Sequence, residues 1–155
     1  MRLSNIKWYR CGKAATEKGV SNIESKIQIK LPRLYYDIMM ICDAGVPLKT
    51  DFEYDDKSHE CMMPQAIGCF LGLEDPEYNI GDVFKNPPEF FPEGLVAFAE
   101  TGGGDYICFD YREGKDNIDP PIVYWNHEAD VGKDVSFVAN NFEEFLGMLR
   151  EPEDE

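Results

Sequence analysis

The sequence has no long apolar segment and few of the features that stabilise small secreted proteins. No uninterrupted apolar run exceeds five residues, as in Ile38 to Cys42, whereas a membrane-spanning helix needs about 20. The first residues contain no apolar h-region and no small-residue cleavage site, so we expect no signal peptide. The five cysteines are an odd number and include no C-x-x-C pair. This pattern favours reduced thiols over a disulfide framework, and it predicts a cytoplasmic protein that does not bind membranes.

Negative charge is in excess, and it is unevenly distributed along the chain. The 155 residues include 30 Asp/Glu and 15 Lys/Arg, a formal net charge of −15. Residues 1–33 carry eight Lys/Arg and two Asp/Glu, so the whole surplus of acids lies in residues 34–155. A folded body with this charge repels nucleic acid and attracts basic proteins at long range. Because 43% of the residues are hydrophobic, the chain still has material for one folded domain.

Two helices are predicted in the first third of the chain. Thr16 is a suitable N-cap for a short amphipathic helix, with Val20, Ile23 and Ile27 at helical spacing. Pro32 then lies near the first position of a second helix. We expect Gly45 to end that helix. Its apolar face consists of Leu34, Tyr35, Ile38, Met39, Ile41 and Cys42.

From Asp51 onward the pattern is typical of strands. Phe52 and Tyr54 alternate with acids, which predicts a strand with an aromatic inner face and an acidic outer face. Residues 62–73 and 94–99 predict further strands, and residues 78–85 predict a short helix. Residues 106–111 and 121–126 predict an antiparallel pair joined by a polar loop. In the register that we expect, Tyr111 opposes Pro121 and Asp105 opposes His127.

The last elements complete an α+β pattern. Val135, Phe137 and Val138 predict a final strand, and Asn140 or Asn141 caps a terminal helix. Strands that are grouped together, and do not alternate with helices, are typical of α+β proteins. We therefore predict a single, mostly antiparallel sheet with two N-terminal helices and one C-terminal helix packed on it. Residues 1–150 would form one domain, and residues 151–155 an acidic tail.

Several segments carry a family resemblance through their order and spacing: Leu31-Pro32, Tyr35 to Met39 with Gly45, Phe98-Ala99, Gly103 to Asp110, Ile122 to Trp125 with His127-Glu128, and Val138 to Leu146. Together they resemble the SUKH superfamily, which includes bacterial immunity proteins and a fungal cell-wall-synthesis regulator. Residues 50–92 match only loosely. The resemblance implies an α+β domain without catalytic machinery. It further implies an antitoxin that binds and silences a toxin domain, often a nuclease.

Two patterns are open to a ligand-binding interpretation. Asp51, Glu53, Asp55 and Asp56 offer the carboxylate oxygens that Ca²⁺ requires, but the Gly and Glu of an EF-hand loop are missing. A solvated acidic strand face, or a contact surface for a cationic partner, are the other interpretations. Residues 102–105, Gly-Gly-Gly-Asp, precede a strand and not a helix, so a tight turn is favoured over a phosphate-binding loop.

The histidines and cysteines do not form a convincing catalytic or metal site. Cys61 lies two residues from His59, yet no third, orienting residue is evident. His59, Cys61 and Cys69 are three candidate zinc ligands without a fourth. Cys108 is expected to lie roughly 10 Å from His127, too far for proton transfer. We therefore predict no catalytic residue, no metal and no cofactor.

Aromatic and basic residues leave two further alternatives. Tyr106, Tyr111, Tyr124 and Trp125 form an aromatic group on the predicted hairpin. Trp125 is expected in the core, whereas the position of Tyr124 is left open. The eight cations of residues 1–33 contain no nucleic-acid motif, and a solvated helix face is the favoured interpretation.

The sequence thus favours an immunity protein that binds a basic partner, a cognate toxin domain, and blocks it stoichiometrically. The alternatives are a regulatory or scaffold module, or a small-ligand binder that uses a pocket at the sheet edge. The predicted partner-binding residues are acids with two aromatic anchors: Asp51, Glu53, Tyr54, Asp55, Asp56, Asp105, Asp110, Glu113, Asp116 and Tyr124.

Overall fold

The computed structural model describes residues 2–153 and has an α+β architecture. A 3₁₀ turn, Leu3–Asn5, precedes the first strand. The helices are α1 (Glu17–Ile27), α2 (Arg33–Met39), α3 (Ile80–Lys85) and α4 (Phe142–Met148). The strands are β1 (Trp8–Arg10), β2 (Val46–Pro47), β3 (Asp51–Asp56), β4 (Cys61–Ala66), β5 (Cys69–Phe70), β6 (Leu95–Glu100), β7 (Tyr106–Asp110), β8 (Ile122–Trp125) and β9 (Val135–Ala139). Among the described residues, no helix combines the length and the apolar character that crossing a bilayer requires.

The predicted helix caps are confirmed, but one helix is shorter than predicted. The Thr16 hydroxyl accepts a hydrogen bond from the Gly19 N–H (3.2 Å), and Asn141 caps α4 in the same way through the Glu144 N–H. Helix α2 begins after Pro32 and ends at Met39, six residues before Gly45. Gly45 has a different role, because a Cβ atom there would lie 2.5 Å from the Cys42 sulfur. A close approach of two chain segments therefore requires this glycine.

Within the described residues the strands form three sheets, where the sequence predicted one. Strands β5 to β9 form an antiparallel five-stranded sheet in chain order. β3 and β4 form a separate hairpin, and β1 pairs with β2. The single strand region predicted over residues 62–73 is divided between β4 and β5, which belong to different sheets. The mostly antiparallel α+β class is confirmed.

The predicted register of the β7–β8 pair is wrong by one residue. Phe109 opposes Ile122, and Tyr106 opposes Trp125. Every residue of β8 is buried, so apolar side chains lie on both faces of this strand. The alternation of polar and apolar residues defines a register only where one face of the strand is polar. Both faces of β8 are apolar, so the sequence pattern could not define its register.

The aromatic core is centred on Tyr35 of α2. Its ring packs edge-to-face on Phe98, Phe109 and Phe142, with centroids 5.4–5.7 Å apart. Its hydroxyl lies within hydrogen-bond reach of the main-chain oxygens of Leu71 and Phe98. One side chain therefore joins α2 to the sheet and to α4, and it also satisfies buried carbonyl groups.

The sequence favours reduced thiols over a disulfide framework, and this prediction is wrong for one pair of cysteines. Cys11 and Cys42 form a disulfide, with their Cα atoms 5.6 Å apart. Main-chain hydrogen bonds from Asp43 to Lys13 and from Ala15 to Met39 hold the two segments side by side. An odd number of cysteines does not prevent one pair from forming when the fold brings two of them together. Cys61, Cys69 and Cys108 are free, and the latter two are buried.

Tyr35→Phe should destabilise the fold by about 1–3 kcal/mol, because the Leu71 carbonyl loses its hydrogen-bond donor in the core. The free energy of unfolding in urea measures this effect, with an unchanged m-value. Tyr9→Phe is the matched control, since Tyr9 is 78% exposed, and it should change stability by less than about 0.5 kcal/mol. Equal effects of the two variants would contradict the assignment of Tyr35.

Candidate functional site: an acidic groove beside the last strand

A groove of about 1150 Å³ lies between the turn of the β3–β4 hairpin, the loop after β7, and strands β8 and β9. We call it the acidic groove. It contains five of the predicted partner-binding residues: Asp55, Asp56, Asp110, Glu113 and Asp116. Glu60, Lys57 and Arg112 also line it, as do the apolar side chains of Val123, Val135 and Phe137. The fold thus brings together acids that are up to 61 residues apart in the chain.

Asp56 is a structural residue of the groove. Its side chain is 2% exposed and accepts hydrogen bonds from the Tyr54 hydroxyl, the Ser58 N–H and the Ser58 hydroxyl, at 2.8–3.2 Å. His59 Nδ1 lies 2.8 Å from Asp56 Oδ2, the oxygen that also accepts from Tyr54. Burial alone would raise the pKa of Asp56, but the hydrogen bonds from His59, Ser58 and Tyr54 outweigh it, and the pKa is below its ordinary value. Asp56 holds the hairpin turn in place and is not available to a partner.

Asp110 is neutralised within the chain. Both of its oxygens bind the Arg112 guanidinium, each at 2.9 Å. Burial raises the pKa of Asp110, and the bonds from Arg112 reverse the effect, so the net shift is downward. This pair gives one wall of the groove a fixed geometry and adds no net charge.

Four carboxylates of the groove are free of such pairing. Within residues 2–153, the side chains of Asp55, Glu60, Glu113 and Asp116 have no hydrogen bond and no ion pair, and all four residues are exposed. Lys57 is the remaining cation of the lining. The groove therefore carries negative charge that the described chain does not compensate.

Phe137 adds an apolar contact to the groove. It lies on β9, the edge strand of the main sheet, and it is 55% exposed beside the half-buried Val135. An exposed aromatic ring among uncompensated charges is typical of a protein-binding surface. The sequence predicts a strand at Phe137 but not the exposure of its ring. The available signal was the alternation with Ser136 and Val138, which are buried on either side of it.

Asp51 and Glu53 do not belong to the groove. They lie toward the other end of β3, where Glu53 forms an ion pair with Arg150 (3.0 Å) and Asp51 accepts from the Thr50 hydroxyl (2.9 Å). The strand rises about 3.3 Å per residue, so Asp51 lies roughly 17 Å from Asp56. Placing these two acids in one contact surface with Asp56 requires a partner that covers the whole strand.

Tyr54, Tyr124 and Asp105 form an internal network. The two rings are stacked with centroids 4.4 Å apart, and both residues are buried. The Tyr124 hydroxyl donates to Asp105, which also accepts from the His127 N–H (2.9 Å) and faces the His127 ring. Neither tyrosine can serve as an anchor for a partner while the domain is folded. We therefore do not propose them, or Asp105, as contact residues.

The other sequence interpretations have simple outcomes. Residues 101–105 form a turn between β6 and β7, in which Gly102 (φ 88°) and Gly104 (φ 98°) adopt the left-handed backbone that glycine favours. In the described part of the chain, no three His, Cys, Asp or Glu side chains are arranged to hold a metal ion. Trp125 is in the core, as predicted.

A comparison with known families agrees with the resemblance. The family model for the SMI1 / KNR4 family (SUKH-1) matches residues 14–148, which include the whole acidic groove. The chain belongs to the SMI1 / KNR4 family (SUKH-1). It is also similar to the SPbeta prophage-derived uncharacterized protein YokK of Bacillus subtilis (strain 168). The two are 31% identical over an aligned length of 149, and the alignment covers 86% of this chain and 74% of the relative.

Asp56→Asn should lower stability at pH 7 by about 1–3 kcal/mol, because an amide cannot accept the same set of hydrogen bonds. The folded pKa of Asp56 is below its unfolded value, so the ionised carboxylate stabilises the fold above about pH 4. This contribution is lost as the pH falls through the folded pKa. The difference between wild type and variant should therefore shrink in acid, as measured by urea unfolding at pH 7 and pH 3.

Asp55→Asn is the control for this prediction, since Asp55 is the exposed neighbour on the same strand. It should change stability by less than about 0.5 kcal/mol at either pH. A loss of stability on Asp56→Asn that stays constant from pH 7 to pH 3 would contradict the role given to its charge.

Proposed function

We propose that this protein is an immunity protein that binds a toxin domain and neutralises it by occlusion. The observation that carries the proposal is the acidic groove, which four uncompensated carboxylates line together with the exposed ring of Phe137. Membership of the SUKH-1 family is consistent with this function. On this proposal the protein acts without catalysis and without a cofactor, in the cytoplasm of the cell that it protects.

The groove suits a partner with basic side chains. Asp55, Glu113 and Asp116 are exposed, so a partner's Lys or Arg groups can pair with them without first breaking an internal ion pair. The net charge of −15 attracts such a partner from a distance and raises the association rate. Once docked, the partner covers Phe137, and burial of this ring slows dissociation.

A nuclease domain is the toxin that this chemistry favours. A nuclease must hold phosphates, so its substrate groove is lined by Lys and Arg. A surface that presents carboxylates at its centre can occupy that groove and exclude the nucleic acid. For the same reason this protein is not expected to bind nucleic acid itself.

Removing the free charges of the groove should weaken the complex. The variant combines Asp55→Asn, Glu113→Gln and Asp116→Asn. An immunity protein is expected to be encoded next to its toxin, so the probe is the toxin domain sought in the neighbouring gene. We expect Kd to rise about 10- to 100-fold, mainly through a lower association rate, in isothermal titration and stopped-flow measurements at 50 mM NaCl. Wild-type protein should also restore growth of cells that express the toxin, whereas the variant should not.

A matched variant separates local from global charge effects. Glu77→Gln, Glu89→Gln and Glu93→Gln remove three exposed acids elsewhere and change the net charge equally. This control should keep Kd within about threefold of wild type. Equal weakening by both triple variants would show that net charge, and not the groove, governs binding. Growth arrest that persists despite soluble wild-type protein would contradict the immunity function and favour a regulatory module.

Phe137→Ala tests the apolar part of the groove. The Phe137 side chain is 55% exposed in the wild type, so its truncation should change stability little. Kd for the toxin domain should rise about tenfold or more through faster dissociation. Phe90→Ala, at another exposed phenylalanine, should leave Kd unchanged. Salt should hardly affect the loss caused by Phe137→Ala, in contrast to the charge variants, because apolar burial is not screened. A dissociation rate that stays at the wild-type value would exclude Phe137 from the interface.

A further inference from the structure

A second concave site lies at the opposite end of β3 from the acidic groove. It is enclosed by the N-terminal segment, the chain at residues 47–49 and the end of α4, and it has a volume of about 410 Å³. We call it the apolar pocket. Its walls include Ile6, Leu48, Phe70 and Leu146, and Phe70 is the most buried of these at 1% exposed. This volume and lining are typical of a site for a small molecule.

The rim of the apolar pocket is positively charged, in a protein with a large excess of acids. Arg2, Lys7 and Lys49 line it, against one acid, Glu151. In the described part of the chain, none of the three cations has a carboxylate within 4 Å, although Lys26, Arg33, Arg112 and Arg150 all have one. The cations beside the pocket are therefore available to an anion.

The main-chain groups in the wall of the apolar pocket favour a hydrocarbon chain over a peptide as its occupant. Pro47 has no N–H group, and the Leu48 N–H already donates to the Lys7 carbonyl (2.9 Å). A peptide buried here would leave its own main-chain polar groups without these partners, which is costly. A hydrocarbon chain has no such groups to satisfy.

We propose that the apolar pocket binds a medium-chain carboxylate, with its hydrocarbon chain against Phe70 and Leu146 and its carboxylate beside Lys7 and Lys49. The chain supplies affinity through burial of apolar surface, and the cations select for a negative head group. This site goes beyond the proposed function and is independent of it, because no residue lines both cavities.

The probe is sodium octanoate, and the measurement is the shift of backbone amide signals in the ¹⁵N-labelled full chain. Octanoate at millimolar concentration should shift the Gly147 amide, which lies in the pocket lining, and should leave Gly114 at the groove unchanged. 1-Octanol and octyltrimethylammonium should bind at least about fivefold more weakly. Absence of a Gly147 shift at 10 mM octanoate would overturn the proposal, and so would equal binding of 1-octanol.

A double variant tests whether the cations at the rim of the apolar pocket bind the carboxylate. Lys7→Gln with Lys49→Gln should raise Kd for octanoate about five- to tenfold and leave binding of 1-octanol unchanged. Lys13→Gln with Lys18→Gln is the control at exposed cations outside the pocket and should have no effect. An equal loss in both double variants would overturn the assignment of the head group to this rim.

Gly147→Leu blocks the pocket without loss of the fold. A Cβ atom at Gly147 meets no atom within 4 Å, and leucine is a better helix former than glycine, so stability should be unchanged or higher. Octanoate binding, followed through the amides of Leu48 and Phe70, should be abolished. Unaltered octanoate binding in a folded Gly147→Leu protein would place the ligand elsewhere and overturn the proposal.

Discussion

The placement of the other elements depends on the buried phenol of Tyr35. Its ring contacts side chains of β5, β6, β7 and α4, and its hydroxyl faces carbonyl groups at Leu71 and Phe98. A phenylalanine would fill the same space but would leave a buried carbonyl without a donor. Position 35 thus combines aromatic packing on four rings with a polar requirement, and both fix the position of α2 on the sheet.

The acidic groove is connected to this core through a continuous series of rings. Phe142 contacts Tyr35, Phe145 contacts Phe142, and Phe52 of β3 contacts Phe145, with centroids 5.3–6.5 Å apart. Phe52 is followed by Tyr54, whose hydroxyl donates to Asp56 in the groove wall. The wall is therefore supported by packed side chains and not by loop residues alone. The hairpin wall held in this way needs little ordering when a partner binds, whereas Glu113 and Asp116 lie in the loop after β7.

Local signals in the sequence predicted local structure well, whereas pairing and position needed the fold. Thr16 and Asn141 act through hydrogen bonds to residues three positions away, so their capping roles were readable from sequence alone. The β7–β8 register could not be predicted from the sequence, since both strand faces are apolar. The Cys11–Cys42 pair could not be predicted either, because it depends on how residues 11–15 lie against the end of α2.

The partner-binding residues show the same limit. Alternation along β3 correctly separated acids from aromatics, and on that pattern alone Tyr54 belongs to the inner face. Tyr54 is 3% exposed, which agrees with the alternation and not with the predicted role as an anchor. Which acids are close in space depends on the β3–β4 turn meeting the loop after β7, and no local pattern encodes that contact.

The basic rim of the apolar pocket and the acidic groove are separated in space. Lys49, at the apolar pocket, and Asp55, at the groove, are six residues apart along an extended chain, or about 20 Å. At physiological salt, where the Debye length is about 8 Å, each site acts on a bound ligand largely through its own neighbouring charges. An approaching partner experiences more of the net charge, which attracts cations to the groove and opposes anions at the pocket. Strong attraction of a basic protein is thus compatible with local selection of a small carboxylate, whose affinity must come chiefly from the buried hydrocarbon chain.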